Sequence, residues 1–282
     1  MNKTYFYRKH MRHPIKFLLL FEGIIFGLVL LMLIGSILTK DIPLNTVTIV
    51  IVGIGLFFTL IISSIALALV YLLIYRRFQS ISITLTPDYL VYSNSSGQIV
   101  LSYQDIRKLD FSSIKYTGGW MKIHYGGGII RLTVVLENIS DFISNLKEKL
   151  DERGSHQVYD EKKLFSFFKT ATFSDESWAR IYVNYKIQLL IHSLCLVLTI
   201  AILIFFGDSV SIRGYIYGGV FAPLVGYVVS EIIIGFQVKR RVDAAQLLLL
   251  PRNQEFERKT FILSILGFSA CYLVILLLLM LG

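Results

Sequence analysis

Glu22, His192 and Glu231 are the residues of this chain whose types and setting could do chemistry. Each lies inside a long apolar stretch, where an ionisable side chain is costly and defaults to a functional reading. Each sits about six or seven residues from the same end of its stretch, roughly 9–10 Å deep on a helical rise. Two carboxylates and an imidazole meeting at one depth could bind a divalent cation or relay protons. That is the chemistry of a small transporter or a membrane-embedded enzyme. The same depth also lets Glu22 and Glu231 reach the interface or pair with Lys16 and Lys239, and lets a neutral His192 bond to a neighbouring helix. Elsewhere there is no His-Glu-x-x-His, no Gly-x-Ser-x-Gly, no metal-spaced cysteine pair and no Gly-Lys-Ser/Thr loop. No catalytic residue, metal ligand set or cofactor is assigned.

The stretches that hold these residues are membrane spans. Residues are 55% hydrophobic and 17% charged, with mean hydropathy +0.65 and net charge +9. Phe17–Thr39, Thr46–Tyr75, Ile187–Phe206, Gly214–Val238 and Phe261–Leu281 each offer the roughly 20 apolar residues that a helix needs to cross a bilayer. The first is too long for the apolar core of a secretory signal and has no Ala-x-Ala-like site after it, so it reads as a retained anchor. Lys3, Arg8, Lys9, Arg12 and Lys16 precede it, Arg76 and Arg77 follow the second, and Lys239, Arg240 and Arg241 follow the fourth. Under the positive-inside rule the N-terminus is cytoplasmic and the C-terminus outside, in the cell membrane. These basic residues set topology and can also meet anionic lipids. Cys195 and Cys271 fall inside spans and read as packing residues. Gly23-x-x-x-Gly27, Ala222-x-x-x-Gly226 and Gly226-x-x-x-Ser230 permit close helix approach, within the chain or in a homo-oligomer. Pro223 is a kink candidate in the fourth span.

Between the second and third spans the pattern changes. Ile81, Ile83 and Leu85 alternate with Ser82, Thr84 and Thr86, the period of a half-buried strand. Tyr89–Ser93, Gln98–Ser102, Ile106–Ile114, Trp120–Tyr125 and Ile129–Val135 give five more strands, with Asn94–Gly97 as a hairpin turn. Gly118-Gly119 and Gly126-Gly127-Gly128 read as turns, since a phosphate loop would lead into a helix and a strand follows here. Ile139, Phe142, Ile143, Leu146 and Leu150 share one helical face, with Asn138 as N-cap and Asp141 as an imperfect capping box. His124 falls on a strand and reads as a surface residue.

The hairpin "ITLTPDYLVYSNSSGQIVLSYQDI", the hairpin "GGWMKIHYGGGIIRLTV" and the closing helix "ENISDFISNLKEKL" resemble the bacterial pleckstrin-homology-like (PH-like) domains of small membrane proteins, including the YcxB-like group. The resemblance covers roughly residues 78–153. It implies a seven-stranded sheet fold closed by a C-terminal helix, of which six strands are legible. Eukaryotic relatives of that fold bind phosphoinositides through basic residues of the first hairpin. Residues 78–98 here hold no Lys or Arg, and the insert balances eight basic against eight acidic residues, so phosphoinositide binding is not expected.

The expected fold is a multi-pass α-helical membrane protein of five spans with an inserted cytoplasmic PH-like β domain. Residues 1–77 form a two-helix membrane hairpin, 78–153 the PH-like domain, 154–186 an interfacial linker and 187–282 a three-helix membrane region. In the linker, Leu164–Lys169 either lies in the headgroup zone or covers the β domain. Ser174 or Asp175 caps a helix running through Trp178, Tyr182 and Tyr185 into the third span. Leu247–Pro251 reads as a membrane-hugging elbow. The expected function is non-catalytic: display of residues 78–153 to a protein or a membrane surface, with membrane lipids as partners, a homo-oligomer allowed and nucleic acid not expected.

Overall fold

The structure is a computed structural model that describes residues 2–38, 45–114, 117–206, 213–242, 247 and 252–281. The expected elbow at Leu247–Pro251 lies outside the described residues except for Leu247. The chain divides into two units. Unit 1 comprises Met1–Lys16, Val70–Ile181 and Gly235–Pro251, and unit 2 comprises Phe17–Leu69, Tyr182–Ile234 and Arg252–Gly282.

Among the described residues unit 1 is built on seven strands. β1 is Lys3–Phe6, β2 Ser82–Leu85, β3 Tyr89–Asn94, β4 Gly97–Ser102, β5 Ile106–Ile114, β6 Gly118–Tyr125 and β7 Gly128–Thr133. They form two antiparallel sheets, β1-β2-β3-β4 and β5-β6-β7. Six strands stand where the alternation of the insert places them. The seventh, β1, comes from the extreme N-terminus and pairs with β2 from Lys3↔Leu85 to Phe6↔Ser82. Beyond it, Tyr7 bridges Leu136, and Glu137 N–H donates to Phe6 O at 2.9 Å, so the same segment also reaches the end of the second sheet. Alternation carries the core: Tyr5, Ile83, Leu85, Leu90, Leu109, Met121, Ile123, Ile130 and Leu132 all point inward and are buried.

A short helix, α1 (Lys9–Arg12), follows β1, and α5 (Ile139–Asp151) closes the sheets with the apolar face its spacing predicts. Its start differs from expectation. Asn138 holds φ 56° and makes no side-chain cap, and Asp141 does not close a capping box. Asp141 instead accepts from Tyr5 Oη at 2.7 Å and pairs with Lys3. The linker also differs: one helix, α6, runs unbroken over Glu161–Phe206, so Ser174 and Asp175 lie inside it rather than capping it. An early turn of α6 covers the second sheet. Leu164, Phe167 and Phe168 are buried, and the Phe167 ring packs 5.5 Å from that of Phe111.

That packing corrects the reading of the first glycine pair. Gly118 and Gly119 are not a turn but the first residues of β6. A Cβ on Gly119 would stand 2.7 Å from Ser112 O and 3.0 Å from the Phe167 ring. Gly126 and Gly127 do form the following turn, and Gly128 enters β7 with φ 147°, a conformation open to glycine.

Unit 2 is helical. α2 is Pro14–Leu38, and α3 (Thr46–Val70) continues through a π-helical turn at Tyr71–Tyr75 into α4 (Arg76–Phe78). α7 is Arg213–Arg241, with Pro223 inside it, and α8 is Gln254–Leu281. Among the described residues four helical stretches are long and apolar enough to cross a membrane: Thr46–Phe78, Glu161–Phe206, Gly214–Arg241 and Gln254–Leu281. Leu196, Ile200 and Leu203 of α6, Ile216 of α7 and Leu276 of α8 form one buried cluster. α3 buries no residue and exposes its apolar side chains, as a lipid-facing helix does.

Gly119→Ala forces a close contact and is expected to destabilise unit 1 by about 1–3 kcal/mol. Gly118→Ala, whose Cβ meets nothing within 4 Å, leaves it unchanged. Both tryptophans, Trp120 and Trp178, belong to unit 1, so a thermal melt followed by their fluorescence separates the two variants.

Candidate functional site

Two of the three residues singled out for chemistry, Glu22 and His192, have local hydrogen-bond partners. Glu22, on α2, accepts hydrogen bonds from Ser63 Oγ at 3.0 Å and Ser64 Oγ at 2.7 Å on α3. His192, on α6, uses Nδ1 to donate to Gln188 O at 2.8 Å, one turn back on its own helix. Glu231 lies on α7. Among the described residues no group of three or more His, Cys, Asp and Glu side chains is placed to hold a metal ion. Serine hydroxyls on the next helix thus supply the donors that a half-buried carboxyl needs. Ser63 and Ser64 are the partners that reading the ionisable residues alone misses.

The small-residue motifs divide. A Cβ on Gly226 would stand 2.6 Å from Ser264 O and 2.7 Å from Ile265 Cα, so α7 and α8 meet backbone to backbone there. Ser230, fully buried one turn on, donates to Tyr227 O at 2.7 Å. Ala222 is half-buried one turn before Gly226. On the same helix Gly218 is closed by the Tyr272 ring and Gly219 by Thr199. Gly23 and Gly27 on α2 face open space. Cys195 is buried and Cys271 exposed, both as free thiols.

In unit 1, charge is concentrated at one buried junction. The Asp175 carboxylate, on α6, accepts from Arg8 Nη2 at 2.7 Å. It also accepts from Ser140 N at 3.0 Å and Ser140 Oγ at 2.7 Å. It therefore does for α5 what Asn138 does not: it takes one orphan N–H at the helix start, that of Ser140, and puts negative charge at the positive end of the dipole. The next residue, Glu176, accepts from Arg241 Nη2 at 2.6 Å and stands 4.0 Å from Arg180. The His10 ring stacks on Trp178 at 4.1 Å, and the Arg12 side chain donates through Nε to Tyr7 O at 2.8 Å. Four chain segments meet in this way: residues 8–12, the start of α5, the middle of α6 and the end of α7. Arg241 is thus an ion-pair partner rather than a surface cation, whereas Arg76, Arg77, Lys239 and Arg240 are exposed.

Burial pushes the Asp175 carboxyl up, and Arg8 and the Ser140 donors pull it back. Burial lowers the His10 ring to about 4, with the Arg8 charge acting in the same direction. A shallow recess on the β module is lined by Val100, Leu101, Gln104, Asp105, Arg107, Tyr125 and the turn glycines Gly126 and Gly127. No family model, no curated protein and no solved structure matches this chain.

Arg8→Met leaves Asp175 charged and unpaired and is expected to cost about 3–5 kcal/mol. Arg8→Met with Asp175→Leu removes the stranded charge and recovers part of that loss in the same fluorescence melt. A single-variant cost within error of zero contradicts the junction. The folded chain holds His10 neutral, so its contribution is full above the ordinary value of 6.5 and is lost as pH falls towards about 4. The melting midpoint should drop across that window, and His10→Gln should flatten the drop.

Proposed function

We propose that this chain is a non-catalytic integral membrane protein that displays a PH-like β module on the cytoplasmic side, for contact with a protein or a membrane surface. The observation that carries the reading is the pairing of β1, which precedes α2, with β2, which follows α4. A folded sheet cannot be divided by a bilayer, so the two ends of the α2–α4 stretch share one side, as two crossings require. α2, at 25 residues, is then the fifth span beside the four long apolar helices. Residues 235–251 belong to the same unit as both ends of that stretch. Positive charge near all three supports the cytoplasmic side for unit 1 and the outside for the C-terminus.

Seven strands among the described residues, four in one sheet and three in the other, and a closing amphipathic helix support reading the module as PH-like, of the bacterial YcxB-like kind. In the membrane unit, the partners of Glu22 and His192 favour structure over transport chemistry.

Two measurements test this reading. In a chain with Cys195 and Cys271 changed to serine, Ser96→Cys on the exposed β3–β4 turn should react with an impermeant maleimide only after the membrane is opened. Labelling of intact cells contradicts the topology. Ile123→Asp puts a charge into the core of the module. Proximity labelling in cells should then lose the neighbours seen with the native chain, and an unchanged neighbour set contradicts display as the function.

A further inference from the structure

The insert is neutral overall, but its charge is segregated. On α5 and just beyond it, Lys147 pairs with Asp151, Lys149 with Glu152 and Arg153 with Asp88. On the second sheet the cations are left over. Leu109, Met121, Ile123, Ile130 and Leu132 point into the core. By alternation, Lys108 and Asp110 of β5, Trp120, Lys122 and His124 of β6, and Ile129 and Arg131 of β7 then share the opposite face. The register sets them in rows: Lys108↔His124↔Ile129, then Asp110↔Lys122↔Arg131. Lys108, Lys122, Arg131 and the neighbouring Arg107 form no ion pair among the described residues. Arg131 instead lies over the Trp120 ring at 4.6 Å. Beside the cations Ile129 is 57% exposed. Among the described residues β7 has β6 on one side and no strand on the other.

We propose that this face, together with the open edge of β7, is a docking surface for an extended acidic segment of a partner protein. The inference rests on the display reading above and names the chemistry of the partner. Unpaired cations on one face select an anionic partner. The size of the patch, about 10 by 14 Å from strand and residue spacings, matches a few carboxylates and not the long phosphate track that nucleic acid binding uses. Asp110 sits within the rows and opposes a continuous sheet of anionic headgroups. The backbone of β7 over Gly128–Leu132 offers ordered donors and acceptors that an added strand can match and a lipid surface cannot. An incoming strand places alternate side chains on the charged face, so acidic residues at every second position would meet Arg131 directly and Lys122 through its long side chain from one strand further in.

The probe is a synthetic fluorescent peptide alternating glutamate and valine, titrated against the full chain in zwitterionic nanodiscs. It should bind, bind less as salt rises, and bind about tenfold or more weakly to Lys122→Glu and to Arg131→Glu. Both positions are outside the core, and an unchanged melt verifies that each variant folds. No binding to the native chain, or binding indifferent to both reversals, overturns the proposal. So does a native chain that ignores the peptide but holds phosphatidylserine vesicles or a single-stranded oligonucleotide through Lys122. If cellular neighbours depend on an intact module but not on Lys122 or Arg131, this surface is wrong and the display reading stands. If the neighbours are indifferent to Ile123→Asp as well, both fail.

Discussion

A carboxylate taken out of water must be surrounded by donors, and Asp175 gathers its donors from segments far apart in sequence. Arg8 comes from before α2 and Ser140 from the start of the helix that closes the sheets. Removing either partner leaves a buried charge or an uncapped helix, so the two segments are held by one penalty. Glu176 repeats the device one residue on, with Arg241 from the end of α7. Neighbouring positions on a helix point about 100° apart. Two acids in succession can therefore collect partners from two directions. The seven-stranded module depends on this: β1 is only four residues long, and the Arg8 anchor directly behind it fixes where its chain turns.

The elements inside the insert were legible because each obeys a local period. Ile83 and Leu85, Met121 and Ile123, and Ile139 to Leu150 bury as alternation or helical spacing predicts. The membrane helices were legible by length and composition. β1 is not legible in this way. Tyr5 and Tyr7 do alternate with Thr4 and Phe6, but the segment is short and sits among basic residues that read as a topology signal. Its partner strand lies beyond α2, α3 and α4 in the chain, and nothing local encodes such a pairing. The extent of α6 was missed for a related reason. Leu164 to Phe168 and Ser174-Asp175 resemble a linker and a cap when read alone. Only the sheet that buries Phe167 and the Arg8 that pairs Asp175 explain them as helix.

The candidate chemistry followed the same division. Glu22 was recognisable as a residue needing a partner, and the partners, Ser63 and Ser64, are small hydroxyls that composition does not flag. Gly119 looked like turn chemistry and is a close approach of a ring. The neutral charge total of the insert hid a segregation that only register reveals: the cations of α5 and its flank are spent on neighbouring acids and those of β5–β7 are not.

The direct measurement is a cross-link across the β1–β2 pair. Thr4 and Thr84 stand opposite each other with hydroxyl oxygens 2.9 Å apart. Thr4→Cys with Thr84→Cys, in a chain whose Cys195 and Cys271 are serine, should form an intramolecular disulfide when oxidised in its own membrane. Peptide mapping would find it joining residues on either side of the α2–α3 hairpin. Absence of that bond, or a bond formed solely between chains, contradicts a module whose first strand lies before α2.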